Sequence, residues 1–120
     1  MNTSSETREI LKKYYDGLSK KEGWQSLLSD NVLLTGTIAK ESRGRDAFAN
    51  NNFFRMIRGL TVKGMIVENE NACAVVSYDL MSPKGKRFSS VVAEIWKVKG
   101  EKLDSLAICF DTAAFQASMA

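Results

Sequence analysis

The feature that most constrains this chain is a change of hydrophobic period near residue 60. Before it, apolar residues recur three and four apart. After it they alternate, and runs of only three or four turn-forming residues separate the alternating segments. The breaks are Asn69-Glu70-Asn71, Ser82-Pro83-Lys84-Gly85 and Lys99-Gly100-Glu101-Lys102. They predict four strands, over 60–68, 72–81, 88–98 and 103–110. Breaks this short leave no room for crossovers, so neighbouring strands must pair antiparallel, as a meander. Helices first and strands afterwards is the α+β pattern, with the helices laid on one face of a curved antiparallel sheet.

The helical half has its own punctuation. Thr3-Ser4-Ser5-Glu6 has the form of a capping box, and Ile10, Leu11, Tyr14, Tyr15 and Leu18 follow at helical spacing. A first helix is expected over 5–19. Trp24, Leu27 and Leu28 repeat the stripe briefly and predict a short second helix ending near Asp30. Val32 to Ile38 reads as a first strand, followed by a polar loop over 39–44. Asp46 should open a third helix, with Ala49, Phe53, Met56 and Ile57 on one face and Gly59 as its C-cap. Residues 112–119 are expected to close the chain. With 120 residues, 44% of them apolar, and no linker or repeat, residues 1–120 are read as one domain.

Several function classes are excluded or disfavoured. The chain has no histidine, so Ser-His-Asp, Cys-His and histidine-ligated metal chemistry are ruled out. Cys73 and Cys109 lack ligand or redox spacing and are expected as buried, reduced thiols. No metal and no cofactor are indicated. The net charge is +3, but the cations are interspersed with acids, so nucleic acid is not an expected partner. No apolar run is long enough to span a bilayer, and residues 1–6 do not resemble a secretory signal, so a cytoplasmic protein is expected.

The residue that stands out is Glu94. Alternation places it on one face of its strand between Val92 and Trp96, the side the helices should cover. A carboxylate there is either desolvated, with its pKa raised into a useful range, or paired to an arginine or hydroxyl as a structural hydrogen bond. Asp79, in step with Cys73, Val75 and Ser77, reads as a solvated strand residue. Asp111 could be an acid-base group or the N-cap of a closing turn. Trp24, Phe53, Phe54, Trp96 and Phe110 are candidates to line an apolar pocket, although aromatics at such spacing also build ordinary cores.

The order of these elements resembles the nuclear transport factor 2-like superfamily, in its SnoaL-like and ketosteroid isomerase-like branches. The resemblance rests on Tyr14-Tyr15, Leu27-Leu28-Ser29-Asp30-Asn31-Val32, Arg43-Gly44-Arg45-Asp46, Ala93-Glu94-Ile95-Trp96 and Cys109-Phe110-Asp111. It implies a cone-shaped fold around a hydrophobic pocket, a small apolar ligand, and a homodimer formed through the outer sheet face. Ketosteroid isomerase builds an oxyanion hole from a tyrosine and a protonated carboxylic acid, and Tyr14 and Glu94 fall at the corresponding positions. Its general base is an aspartate just after the first strand, where this chain has Thr35-Gly36. Asp111 matches the acid-base aspartate of SnoaL-type cyclases, whose partner histidine has no counterpart here. The resemblance thus implies a small-molecule binder, with isomerase- or cyclase-type proton transfer through Tyr14, Glu94 and Asp111, or alternatively a non-catalytic dimerisation or adaptor domain.

Overall fold

A computed structural model describes residues 2–36 and 41–120. Helix α1 spans Ser4–Lys20 and starts where the capping box places it. Thr3 Oγ1 accepts from the Glu6 amide at 3.1 Å, and the Glu6 carboxylate accepts from the Thr3 amide at 3.0 Å. After it come strands β1 (Leu28–Gly36) and β2 (Ser42–Arg43), short helices α2 (Arg45–Ala49) and α3 (Asn52–Met56), strands β3 (Ile57–Glu68), β4 (Asn71–Met81), β5 (Arg87–Lys99) and β6 (Lys102–Phe110), and helix α4 (Thr112–Met119).

The sheet is curved and open, in the order β2-β1-β6-β5-β4-β3. Strands β3 to β6 form the expected antiparallel meander, and β1 joins its far side parallel to β6, which makes the sheet mixed. One row of the inner face runs Gly36, Ile108, Glu94, Ala74 across four strands, and the next runs Leu34, Leu106, Trp96, Ala72. These residues meet α1, α2 and α3, and together they enclose the core.

Two helical expectations are corrected. Where a second helix was expected, Gln25–Leu27 makes a single 3-10 turn, and strand pairing begins at Leu28 opposite Leu103. Trp24 and Leu28 are both buried, as a helix would have placed them, but the sheet partner decides the backbone. The expected third helix is broken at Asn51, whose side chain accepts from the Phe53 amide at 3.0 Å and caps a new helix. Ile57 then already pairs with Leu80, so Gly59 is a strand residue and not a cap. The part of the first strand expected at 37–38, and residues 39–40 of the loop, lie outside the described residues.

The lead into α2 is fixed by Gly44 and Arg45. Gly44 sits at φ 107°, a conformation that strains other residues, and its amide donates to Val32 O at 2.9 Å. The Arg45 guanidinium donates to Leu28 O and pairs with Asp30 at 2.9 Å, which ties α2 to β1. The cysteines are free but not buried as expected. Cys73 is half-buried and Cys109 exposed, because both have the parity of the outer sheet face.

Candidate functional site

Among the described residues, Glu94 is the one buried carboxylate. Its strand parity turns it inward, and it is 1% exposed beneath α1. Two tyrosines hold its carboxylate. Tyr15, from α1, donates to Oε1 at 2.5 Å, and Tyr78, from the inner face of β4, donates to Oε2 at 2.8 Å. The Trp96 indole N–H donates in turn to the Tyr15 hydroxyl at 2.9 Å. Every polar group of this chain of hydrogen bonds is therefore paired.

The electrostatics follow from burial. Loss of water raises the Glu94 pKa, the hydrogen bonds from Tyr15 and Tyr78 partly oppose the rise, and the carboxyl settles at about 7. Burial, and the negative charge Glu94 carries when ionised, push the hydroxyls of Tyr14, Tyr15 and Tyr78 well above their ordinary range. At neutral pH the tyrosines keep their protons, while Glu94 sits between its two protonation states.

Tyr14 is placed differently from Tyr15. Its ring is packed edge-on to Trp96 at 4.8 Å and to Trp24 at 6.1 Å, and its hydroxyl is buried with no hydrogen-bond partner among the described residues. The hydroxyl bonded to Glu94 belongs to the next residue. Asp111 is remote in character from both. It is exposed, and its carboxylate accepts from the Ala114 amide at 3.1 Å as the N-cap of α4. Tyr14 therefore feels the charge of Glu94 without a hydrogen bond to it, and Asp111 is engaged elsewhere as a cap. Asp79 is the solvated strand residue expected, bonded through its carboxylate to Arg87 at the surface.

An apolar cavity of about 270 Å³ lies between β1, β6, α3 and α4. Phe53 and Phe110 line it with Leu34, Met56, Ile108, Phe115 and Met119, and Asn51 and Asn52 lie at its wall. Trp24, Phe54 and Trp96 do not line it. They pack instead into an aromatic cluster with Phe48, in which the Phe54 ring lies 5.0 Å from Trp24 and 5.2 Å from Phe48. Glu94 is not a lining residue either. Its cross-strand neighbour Ile108 is, and Tyr78 packs edge-on against the lining residue Phe53 at 5.0 Å. Glu94 thus neighbours residues of the cavity wall without lining the cavity itself.

Sequence reasoning had not singled out Tyr15 or Tyr78. For Tyr78 a signal existed, since it shares inner parity with Ala74, Val76 and Leu80. For Tyr15 none did, because adjacent helical tyrosines differ by about 100° of rotation that spacing alone could not assign.

No family model matches the sequence, and no curated protein matches it. Solved structures do resemble it. TerC co-crystallised with polyporic acid superposes with a TM-score of 0.82 at 14% identity, over 95% of this chain and 98% of that one. An NTF2-like protein from Burkholderia xenovorans gives 0.80 at 15%, over 100% of both chains. The chain has the nuclear transport factor 2-like fold. A candidate polyketide cyclase from Xanthomonas campestris shares this fold too, with a TM-score of 0.75 at 13% identity over 98% of both chains. At such identities the likeness speaks for the fold alone.

Proposed function

We propose that the chain binds a small, predominantly apolar molecule in the cavity between β1, β6, α3 and α4. The observation that carries this reading is the lining itself, an apolar wall with two asparagines, which is the usual make-up of a ligand site. Its volume is near the lower end for such sites, roughly 300 Å³. That suits a compact ring system. TerC, a structural neighbour, was crystallised with polyporic acid.

Isomerase- or cyclase-type proton transfer is the finer form of the proposal. Structural neighbours include a candidate ketosteroid isomerase from Kribbella flavida and the candidate cyclase from Xanthomonas. Glu94, with a pKa of about 7, can give or take a proton near neutrality. Binding is favoured over turnover as the primary role, because Glu94 is fully bonded and Asp111 serves as a cap.

The neutral fluorophore N-phenyl-1-naphthylamine tests the site, with polyporic acid as competitor. Fluorescence enhancement is expected for the wild type, and weaker enhancement is expected in Met119→Trp, whose larger side chain takes up part of the cavity. A Met119→Trp protein that melts like the wild type and still binds the probe equally well would place the ligand elsewhere.

A second surface supports a partner. Val75, Val91 and Ile95 are 39%, 59% and 49% exposed at the centre of the outer sheet face. We propose that this face pairs with a second copy of the chain. Strands β3 to β6 offer about 19 Å by roughly 36 Å, on the order of 700 Å². A standard interface takes about 800 Å² per partner.

A further inference from the structure

We propose that the groove between α1 and β3 is a second binding site, for a small amphiphile with an anionic head, such as an acyl carboxylate. The groove lies on the side of the molecule where β3 forms the sheet edge, is about 390 Å³ in volume, and shares no lining residue with the apolar cavity. Its floor is Leu60, Val62 and Met65, apolar residues of β3 that α1 leaves half-exposed. Its wall carries two cations, Arg8 and Lys12, and one carboxylate, Asp16. Arg8 and Lys12 stand one helical turn apart on α1 and have no ion-pair partner among the described residues, whereas the neighbouring Asp16 is paired with Lys20 at 3.1 Å.

An apolar floor beneath two unpaired cations matches one chemistry. An alkyl or aryl body would cover β3 while its carboxylate met Arg8 and Lys12. A partner strand added to the β3 edge fits less well. Bulges at Arg58 and Lys63 shift the β3–β4 register twice, and such bulges keep an edge from accepting a long partner strand. Tyr15 closes the groove on the inner side, and its hydroxyl bonds both Glu94 and the Trp96 indole. Occupancy is therefore expected to reach the indole fluorescence.

Decanoate below its micelle concentration is the probe, followed by calorimetry and tryptophan fluorescence, with 1-decanol as the uncharged control. Decanoate should bind and shift the tryptophan signal, and decanol should bind far more weakly. Arg8→Ala/Lys12→Ala should weaken decanoate binding roughly ten-fold, as loss of two exposed charge contacts implies. Met119→Trp should leave it unchanged. Equal binding of decanol, indifference to Arg8→Ala/Lys12→Ala, loss of binding in Met119→Trp, or no heat and no spectral change at millimolar decanoate would each overturn the proposal. Only the N-phenyl-1-naphthylamine result bears on the cavity, so the two sites stand or fall separately.

Discussion

A carboxyl group held by two tyrosines in the dry interior must leave its mark on the pH dependence of stability. Glu94 titrates at about 7 when folded, against 4.5 as the ordinary value for an exposed glutamate. The folded state therefore holds this proton more tightly than the unfolded chain. Its contribution is fully present below pH about 4.5, declines as pH rises, and is lost through pH about 7. Glu94→Gln removes that titration. The difference in unfolding free energy between wild type and variant should move by about 2–3 kcal/mol against the wild type between pH 5 and pH 8, by urea melts at both values. A constant difference would show that Glu94 is ionised throughout. Tyr15→Phe acts in the opposite chemical sense. It strips Glu94 of a hydrogen bond to its charged form and leaves the Trp96 N–H unpaired. The Glu94 pKa should rise above about 7, readable by carboxyl NMR or infrared titration, and stability should fall by about 1–3 kcal/mol.

At the scale of elements, α4 depends on its first residue's neighbour. Asp111 caps α4, and α4 carries Phe115 and Met119 into the cavity wall. Asp111→Ala should cost about 1 kcal/mol, whereas Asp111→Asn, an equally good cap, should cost almost nothing. Thermal melts of the two variants test the capping role, in which Asn substitutes for Asp and Ala does not. The same elements show what the chain spells out and what it leaves unspoken. The switch from helical to alternating period predicted β3 to β6 to within three residues, because burial on one face forces that pattern. The inward parity of Glu94 came from the same rule. The short helical segments are not legible in the spacing, because Trp24 and Leu28 are buried just as well by a 3-10 turn leading into a strand, and because Asn51 caps the backbone just after it. That Tyr15 rather than Tyr14 meets Glu94 depends on how α1 is rotated over the sheet, which is settled by packing between elements and not by spacing within one.

For the molecule as a whole, the two faces of the sheet ask for different partners. The inner face is occupied by helices, by the aromatic cluster and by the Glu94 network. The outer face has nothing over it within the described chain, yet its central strands place Val75, Val91 and Ile95 side by side with Ala93 between them. Charged neighbours stand at its margins, where Asp79 pairs with Arg87 at one end of β4 and β5 and Lys97 stands at the other, and Ser77 opposite Val91 is an uncharged polar residue within it. A patch of this kind is the surface a soluble monomer avoids. Facing a second copy about a two-fold axis would bury it against itself, with each margin left in water. Ile95→Lys places a charge at the centre of that contact, and Val91→Lys places one beside it. Either substitution should shift the protein from dimer to monomer by sedimentation velocity. Both positions lie on the solvent side of β5, so the monomer should keep its fold and bind N-phenyl-1-naphthylamine as before. A wild type that sediments as a monomer at tens of micromolar would remove the second copy from the account, while the cavity, the α1–β3 groove and the Glu94 network, all built within one chain, would stand unchanged.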